Sequence, residues 1–371
     1  MNTKPKIALA CTSFSGGGAE RVMINLANKF IEWGFPVDYI VISDKGPYKE
    51  LLDKRANINI LTNKPNKKAK KLSVVLNYIK YLRKSDALSI MSTLKELNVL
   101  TVILAKLFFK GTIVIREADT LDRLFNEPTK KNKILLLFMN YSYKYANCII
   151  ANCKETKSDL LKNINNIATK TKIIYNPLDL KKIKADALAP VATTFDIVTA
   201  GRLTNKKNFK DFILAIEIVK NNYTNISAAI LGEGDERKNL QNLINSKNLN
   251  SHIKLIGFNS NPYVYFQNAK VFVQTSLWEG FGYVLAEAMA CGTSVVAYDS
   301  KGAMREILDD GKYGILSPVG NIVKLAENIE YQMNNPTSKE LLEEAVQRFD
   351  IDHIAKQYLD TILDNKWLDN E

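Results

Sequence analysis

The sequence predicts an α/β protein made of two domains, each a parallel sheet covered by helices. The chain has 371 residues, 46% of them hydrophobic, which is enough for about two domains that each bury a core. Short continuous apolar runs alternate with helical patterns, as in parallel sheets that are buried on both faces. The alternation occurs twice, on either side of an aperiodic stretch at 181–194. We therefore expect two Rossmann-like domains.

The first predicted domain spans residues 1–185 and begins with a strand at Lys6–Thr12 and a helix at Ala19–Trp33. Further strand-like runs lie at Val37–Ser43, Gly111–Arg116 and Asn147–Asn152. Between them, Lys64–Lys84 has apolar residues at helical spacing and lysines elsewhere. This pattern fits a core-facing helix with a basic exterior or a membrane-surface helix. The apolar face predicted for it consists of Leu72, Val75, Leu76, Ile79 and Leu82.

The second predicted domain spans residues 186–350 and repeats the scheme. Its strand-like runs are Asp196–Ala200, Ile226–Leu231, Ile253–Ile256, Lys270–Gln274 and Thr293–Ala297. A final helical segment at 351–371 is expected to pack back on the first domain. The Asp350-Ile351-Asp352 spacing could hold a metal ion, but it stands where a helix cap is expected, and aspartate is a preferred capping residue.

Charge is distributed unevenly along the chain. Residues 1–180 contain 30 Lys and Arg against 15 Asp and Glu, a balance of +15, whereas the remainder is near neutral, so that the whole chain carries +12. A basic half suits an anionic surface such as lipid headgroups, a pyrophosphate-bearing acceptor or nucleic acid. A solvated, lysine-rich face explains the same composition.

The remaining composition indicates a cytoplasmic protein without a membrane span. The four cysteines are scattered, which is typical of free thiols in a reducing compartment. The N-terminal apolar run is too short for a signal peptide. No stretch reaches the roughly 18 apolar residues that a spanning helix needs.

The most informative motif is EGFGYVLAE at Glu279–Glu287. Its two glycines allow the backbone to approach a ligand, and a helix that begins near Tyr283 would present an anion site at its N-terminus. Glu287 would lean back toward that ligand, because helical side chains tilt toward the N-terminus. A carboxylate that only complements the helix dipole is the alternative, but it explains neither Glu279 nor the glycines.

Three further polar segments also follow predicted strands. Gly201–Asn208 contains Arg202 and Lys207, two cations that could clamp a diphosphate. Ser15–Arg21 is a glycine-rich turn before a helix, a setting that favours phosphate. Ile115–Asp119 is an ionic cluster that suggests substrate contact, and a solvated loop is the equal alternative.

Together these segments resemble family-4 glycosyltransferases of the GT-B fold. Glu279 and Glu287 match the E-x7-E signature of that family, and Gly17 to Arg21 match its G-G-A-E-R opening. Its donor loop is matched by Gly201, Arg202, Lys207 and Asn208. Weaker matches are ILGEG at 230–234, LIGF at 255–258 and IIYNP at 173–177.

The resemblance implies roles for the matched residues. Arg202 and Lys207 would neutralise the donor diphosphate and the charge of the leaving nucleotide. Glu287 would bind the ribose hydroxyls and Glu279 the hydroxyls of the donor sugar. The amides of Phe281 and Gly282 would contact the sugar and the β-phosphate, with Gly17 approaching the diphosphate from the other domain.

The resemblance also implies the course of the reaction. Such enzymes retain the anomeric configuration and need no metal ion or other cofactor, which fits the lack of a well-placed D-x-D pair. Many relatives carry a histidine after a strand of the first domain. Here Arg116 and Glu117 stand in its place and are expected on the acceptor side.

Among such enzymes, the segments IIYNPLDL at 173–180, ILGEG at 230–234 and IGFNSNPYVYF at 256–266 are most similar to those of bacterial proteins that extend glycans on an undecaprenyl-pyrophosphate carrier. That similarity implies a UDP-linked hexose or N-acetylhexosamine as the donor. The acceptor would be lipid-linked, and the protein would lie on the inner face of the cytoplasmic membrane, held by the basic half. Two alternatives are a UDP-sugar 2-epimerase, which would need acid–base groups such as histidine, and a non-catalytic nucleic-acid binder. The latter would need aromatic residues among the basic ones on a sheet face, and we expect no nucleic-acid partner.

Overall fold

A computed structural model describes residues 4–15, 17–62, 67–121, 124–125 and 129–363. The chain divides into two compact units, the first formed by Met1–Pro177 with Ile351–Glu371 and the second by Leu178–Asp350. The boundary precedes residue 185, because the helix Leu180–Ala187 packs on helices of the second unit and buries its apolar side chains there.

The first unit is a seven-stranded parallel sheet with helices on both faces. Its strands are β1 (Ile7–Cys11), β2 (Val37–Val41), β3 (Asn57–Ile60), β4 (Ser89–Thr93), β5 (Thr112–Glu117), β6 (Cys148–Ala151) and β7 (Thr171–Ile173). They lie in the order β3-β2-β1-β4-β5-β6-β7. Its helices are α1 (Gly18–Glu32), α2 (Lys67–Lys84), α3 (Lys95–Phe108), α4 (Lys130–Ser142) and α5 (Lys154–Asn163).

The second unit contains a six-stranded parallel sheet built on the same plan. Its strands are β8 (Ile197–Ala200), β9 (Ala228–Leu231), β10 (Ile253–Gly257), β11 (Val271–Gln274), β13 (Ser294–Tyr298) and β15 (Ile315–Ser317). They lie in the order β10-β9-β8-β11-β13-β15. Two short strands, β12 (Trp278–Glu279) and β14 (Lys301–Gly302), pair with each other.

The helices of the second unit cover its sheet. They are α6 (Leu180–Ala187), α7 (Phe209–Val219), α8 (Arg237–Ser246), α9 (Tyr263–Gln267), α10 (Tyr283–Ala290), α11 (Met304–Leu308), α12 (Ile322–Asn334) and α13 (Lys339–Gln347). The chain then returns to the first unit as α14 (Ile351–Ile362), which packs on α1. None of the helices in the described ranges is long and apolar enough to cross a membrane.

The two parallel sheets confirm the predicted fold class, and every predicted strand is present within a few residues of its expected ends. Four sheet strands were not predicted. Ser89–Thr93, for example, is fully buried although it contains two serines and a threonine. Its hydroxyl groups interrupt the apolar run from which a buried strand is predicted.

Helix α2 is present, and three of the five residues of the apolar face predicted for it pack on the core: Leu82 is buried, and Val75 and Ile79 are partly buried. Its buried side chains are Val74, Tyr78 and Leu82, whereas Leu72 and Leu76 are exposed. Tyr78 fits the core because its hydroxyl shares a hydrogen bond of 2.9 Å with Thr101 of α3. The helix is therefore core-facing and still presents leucines to solvent.

The Asp350-Ile351-Asp352 segment lies at the start of α14, as expected for a cap. Asp350 immediately precedes the helix, and Asp352 in its first turn forms an ion pair of 2.5 Å with Lys29 of α1. This ion pair helps to fix α14 on the first unit. No group of three or more His, Cys, Asp or Glu side chains within the described ranges is arranged to hold a metal ion.

Candidate functional site

The strand order of the second unit places two of the predicted segments side by side. Strands β8 and β11 are neighbours at the point where the strand order reverses. Open α/β sheets bind ligands at this point, beyond the carboxyl ends of the strands. The segment after β8 carries Arg202 and Lys207, and the segment after β11 carries Glu279. The sheet therefore brings these three predicted residues to one edge.

Glu279 is the centre of a charged cluster at this edge. Lys207 Nζ forms an ion pair with Glu279 Oε1, and Lys206 Nζ lies 3.7 Å from Oε2. Ser276 Oγ donates a hydrogen bond of 2.9 Å to Oε1. Burial alone would raise the pKa of Glu279, but the charges of Lys207 and Lys206 and the two hydrogen bonds outweigh burial and lower it. Glu279 is therefore ionised and can accept further hydrogen bonds.

Main-chain contacts hold the two segments of this cluster together. The Leu277 amide donates to the Lys206 carbonyl and the Thr275 hydroxyl to the Lys207 carbonyl, both at 2.9 Å. Gly302 packs so closely on Glu279 that an added Cβ would lie 1.5 Å from the Glu279 carbonyl oxygen. Only glycine allows β14 to approach β12 at this point. Glu279 is thus fixed through its backbone as well as its side chain.

Arg202 and Asn208 differ in how they are held. Arg202 is exposed, and its guanidinium has no hydrogen-bond or ion-pair partner among the residues that the structure describes. Asn208 has a left-handed backbone, with φ +48°, at the start of α7, and its side-chain amide donates to Asp211 at 2.7 Å. Tyr298 donates to the same Asp211 oxygen at 2.8 Å. Arg202 is therefore available to a ligand, whereas Asn208 shapes the loop.

Helix α10 begins at Tyr283, where the sequence predicts it. Gly282 precedes it with φ +81°, a conformation that favours glycine. The buried ring of Phe281 stands edge-to-face against Phe349, with centroids 5.3 Å apart. Because the N-terminal turn of a helix attracts anions, the backbone of 281–283 forms a second electropositive element next to the lysines.

Glu287 lies on the second turn of α10 and is buried, with 3% of its surface exposed. The Tyr263 hydroxyl donates a hydrogen bond of 2.7 Å to Glu287 Oε1. Tyr263 precedes Glu287 by 24 residues in the chain and belongs to α9. Sequence reasoning missed Tyr263, since no local pattern connects a tyrosine on one helix with a carboxylate on another.

In the first unit, Gly17 stands at the N-terminus of α1. An added Cβ at Gly17 would lie 2.4 Å from Glu20 Oε2, because the Glu20 side chain folds back over it. Ser15 Oγ donates to Glu20 Oε1 at 3.0 Å. The motif matched at 15–21 is thus a compact turn in which the carboxylate is buried. Gly16 lies outside the described residues.

Arg116 and Glu117, expected on the acceptor side, are completely buried at the end of β5. Nε of Arg116 donates to Tyr358 at 3.0 Å and Nη1 to Thr93 at 3.1 Å, while Nη2 donates to Asn176. These partners come from β4, from the segment that ends the first unit and from α14. Neither side chain reaches the surface, so this arrangement makes Arg116 a structural anchor and leaves its expected substrate contact unsupported.

Glu117 points into a different buried network. It accepts a hydrogen bond from Tyr143 and another of 2.7 Å from Asn98, while its Oε2 atom has no hydrogen-bond partner within the described part of the chain. Burial raises the pKa of Glu117 despite the nearby positive charge of Lys95. Arg116 and Glu117 therefore do not form a solvated ionic cluster.

Comparison with known proteins assigns the chain to a family. A model described as "Glycosyltransferase Family 4" matches residues 16–182, and one described as "Glycosyl transferases group 1" matches residues 181–349. A relative from Campylobacter jejuni is 31% identical over 323 residues, covering 85% of this chain and 87% of the relative. It is an N-acetylgalactosamine-N,N'-diacetylbacillosaminyl-diphospho-undecaprenol 4-alpha-N-acetylgalactosaminyltransferase. The chain belongs to glycosyltransferase family 4.

Solved structures agree with this assignment at the level of the fold. HepE from Anabaena, crystallised with UDP-glucose, has a TM-score of 0.80 at 24% identity, over 96% of this chain and 99% of HepE. Sucrose-phosphate synthase from Thermosynechococcus elongatus has a TM-score of 0.80 at 19% identity, over 99% and 100% of the two chains. The predicted GT-B fold is thereby confirmed.

The family assignment settles the class of protein. The chain is an enzyme, a glycosyltransferase, as the sequence predicts. This assignment favours glycosyl transfer over the epimerase and nucleic-acid alternatives. The individual site residues remain predictions, and their geometry supports the second-unit set better than the Arg116–Glu117 pair.

Proposed function

We propose that this glycosyltransferase moves a hexose or an N-acetylhexosamine from a UDP-linked donor to a glycan carried on a lipid pyrophosphate. The transfer retains the anomeric configuration and needs no metal ion. The observation that carries the proposal is the charged cluster of Lys207, Lys206 and Glu279 at the switch point of the second sheet, next to the N-terminus of α10.

The proposed substrates follow what similar proteins are named for. The 31% identical Campylobacter relative is named for transfer to a diphospho-undecaprenol glycan. A second relative from that organism, 23% identical over 97% of this chain, is named for adding N-acetylgalactosamine to a PP-undecaprenol glycan. The structurally similar HepE holds UDP-glucose. These three names together point to a UDP-sugar and a lipid-linked acceptor.

The second unit offers a separate group for each part of such a donor. Arg202 and Lys207 supply cations for the diphosphate, and the helix dipole of α10 adds to their field. Glu287, oriented by Tyr263, would accept hydrogen bonds from the ribose hydroxyls. Glu279 would accept them from the sugar, because its lowered pKa keeps it ionised.

In the reaction, the bond between the anomeric carbon and the donor phosphate oxygen breaks while the acceptor oxygen bonds to the same face of that carbon. The acceptor proton passes to the departing phosphate oxygen, so charge and atoms balance without a protein nucleophile. Lys207 and Arg202 stabilise the negative charge that develops on the UDP leaving group. Fixed cations in this position are the preorganised electrostatics that dominate many enzymatic rates, and they perform the task that a metal ion performs elsewhere.

The acceptor side is assigned to the first unit, and the enzyme to the inner face of the cytoplasmic membrane. The +15 balance over residues 1–180 supports this assignment, since each well-placed cation gains about 1 kcal/mol near an anionic lipid surface. Contact between the Gly17 backbone and a phosphate stays a prediction.

Calorimetric and thermal-shift binding of UDP, GDP, ADP and their sugars, with and without EDTA, tests the donor assignment. Ligand binding to the folded state raises the melting temperature by mass action. We expect UDP and one UDP-sugar to stabilise the protein equally with and without EDTA. Stabilisation by another nucleotide, or loss of binding in EDTA, would contradict the donor or the metal independence.

Product analysis tests the rest of the reaction. Incubation with the UDP-sugar and an undecaprenyl-pyrophosphate glycan should lengthen the glycan by an α-linked sugar, with the linkage read by NMR. A β-linked product from the α-linked donor would overturn retention.

A further inference from the structure

Helix α4 carries large apolar side chains on two of its sides. Leu135 and Met139 are buried in the core of the first unit. A second stripe at positions i, i+3, i+4 and i+7 is between 49% and 70% exposed and consists of Ile134, Leu137, Phe138 and Tyr141. A surface helix of a globular protein ordinarily keeps this side polar. Contiguous exposed apolar surface of this kind marks an interaction site.

The stripe continues onto the end of α3 through cationic and aromatic side chains. Lys106 Nζ lies 3.0 Å from the centroid of the Tyr145 ring, and the Tyr145 and Tyr141 rings stand 5.7 Å apart. Leu107, next to Lys106, is 69% exposed. Leu107 and the four residues of the stripe form what we call the apolar patch.

Positive charge surrounds the apolar patch. The exposed basic residues on α4 and next to its end and that of α3 are Lys106, Lys110, Lys130, Lys131, Lys133 and Lys144. Within the described part of the chain only Lys131 among them has a carboxylate partner, Glu96 at 3.2 Å. The surface therefore combines unneutralised cations with apolar side chains and tyrosines, the combination found where a protein lies in a lipid interface.

The positive charge and the apolar side chains of this surface together indicate which kind of partner fits the apolar patch. A second copy of the chain in a twofold contact would bring like charges together at the same patch. Nucleic acid would satisfy the lysines, but it offers no hydrocarbon for Ile134, Leu137 and Leu107. A bilayer that contains anionic phospholipid satisfies both.

We propose that the apolar patch docks the enzyme on an anionic phospholipid bilayer, with its apolar side chains in the headgroup region and its lysines on lipid phosphates. The inference rests on the proposed function, because docking brings the enzyme to the surface in which a lipid-linked acceptor is anchored. It places this membrane contact on α4 and the end of α3.

Vesicle flotation with the full chain tests the docking. We compare vesicles of phosphatidylcholine alone with vesicles that also contain phosphatidylglycerol. The wild-type protein should float with the second kind and bind the first kind more weakly, and added salt should reduce the difference. Absence of binding to phosphatidylglycerol vesicles would overturn the proposal.

Two sets of variants separate the apolar and the charged contributions. Leu137→Ser with Phe138→Ser should weaken binding roughly tenfold or more, the scale for burying one such side chain. Lys130→Gln, Lys133→Gln and Lys144→Gln should each weaken binding about fivefold, and only to phosphatidylglycerol vesicles.

The matched control changes two equally exposed apolar residues of the second unit, Leu188→Ser with Val323→Ser, and should leave binding unchanged. Equal binding by the Leu137→Ser, Phe138→Ser variant and the wild type would overturn the proposal. Light scattering that shows a wild-type dimer and a monomeric variant would overturn it in favour of a second copy of the chain.

Stabilisation by UDP separates this inference from the proposed function. The patch variants should keep the melting temperature and the UDP response of the wild type, and lose only transfer to an acceptor held in vesicles. If no nucleotide stabilises the wild type but flotation still depends on the patch, the proposed function fails and the docking surface stands.

Discussion

Charged residues stand at or beyond the carboxyl end of a parallel strand in both units of this enzyme, but their surroundings differ. Lys207 and Glu279 lie in segments beyond the ends of β8 and β11 and form an ion pair, in which 17% of the Lys207 side chain and 11% of the Glu279 side chain stay exposed. Arg116 and Glu117 are the last two residues inside β5, flanked by β4 and β6, and are completely buried. Their sequence signals are alike, since each pairs an apolar run with nearby charges.

The role of the charge therefore depends on whether its residue lies inside the strand or beyond the end of the strand. A residue inside the strand must place its side chain against the helices that cover the sheet, where an ionised group needs hydrogen-bond partners. A residue one turn further on can face a ligand. We therefore expect substitutions of Arg116 to act mainly on stability, and those of Arg202 and Lys207 to act mainly on the reaction.

The largest expected effect is a loss of stability in the Arg116→Leu variant. The substitution leaves oxygens of Thr93, Asn176 and Tyr358 buried without their donor, so the free energy of unfolding should fall by about 3–5 kcal/mol. Urea denaturation measures the change. The matched Arg202→Leu, at an exposed position, should stay within about 0.5 kcal/mol of the wild type. An Arg116→Leu enzyme that is stable but inactive would contradict the structural role of Arg116 and support its expected contact with the substrate.

The next effect is on catalysis in the second unit. Lys207→Ala and Arg202→Ala should each cost about 2–4 kcal/mol of transition-state stabilisation, the scale for losing one preorganised group. Steady-state kcat/KM with the UDP-sugar measures it. The control is Lys210→Ala, which replaces an exposed lysine at the start of α7 and should leave kcat/KM near the wild-type value. A normal kcat/KM in both the Lys207→Ala and the Arg202→Ala variant would contradict the proposed mechanism.

A smaller effect is expected on nucleotide affinity. Glu287→Ala should weaken UDP binding by about 1.5–3 kcal/mol, the range for a hydrogen bond to a charged group, with less effect on the melting temperature of the free enzyme. Tyr263→Phe removes only the hydroxyl that orients Glu287, so it should also weaken UDP binding, but by a smaller amount. Calorimetry with UDP measures both. An unchanged Kd in both variants would remove Glu287 from the nucleotide site.

The smallest expected effect concerns how stability depends on pH. The contributions of Glu117 in the first unit and Glu279 in the second should have opposite signs. Burial raises the pKa of Glu117, so its contribution to stability is present below its unfolded pKa and is lost as pH rises through the folded one. Burial also acts on Glu279, but the lysines reverse it and lower the pKa, so its contribution is present above its unfolded pKa and is lost as pH falls through the folded one.

Glu117→Gln should therefore become more stable relative to the wild type as pH rises, and Glu279→Gln should become less stable. Urea denaturation between about pH 4 and pH 8 measures both slopes. Slopes of the same sign would contradict the contrast between the two sites.

Most of the fold was predictable because parallel strands buried on both faces leave a continuous apolar run. The strands that escaped prediction lack that run. Asn57–Ile60 alternates polar and apolar residues at the edge of the sheet, and Ser89–Thr93 is buried through hydroxyl-bearing side chains. The apolar face predicted for α2 left out Tyr78 for a related reason, since Tyr78 is buried through a hydrogen bond to α3 that helical spacing does not reveal.

Local sequence patterns were enough to predict the two-domain α/β class, the start of α10 at Tyr283, the polar loops of the second unit and membership of the family. These features depend on local spacing, which the chain carries wherever it folds. Which charged residues are buried, and what they contact, depends instead on the packing of the folded chain. Tyr358 reaches Arg116 across 242 residues, and Tyr263 reaches Glu287 across 24. The reason is physical: the burial of a side chain is set by the strands and helices packed around it, and these come from distant parts of the chain.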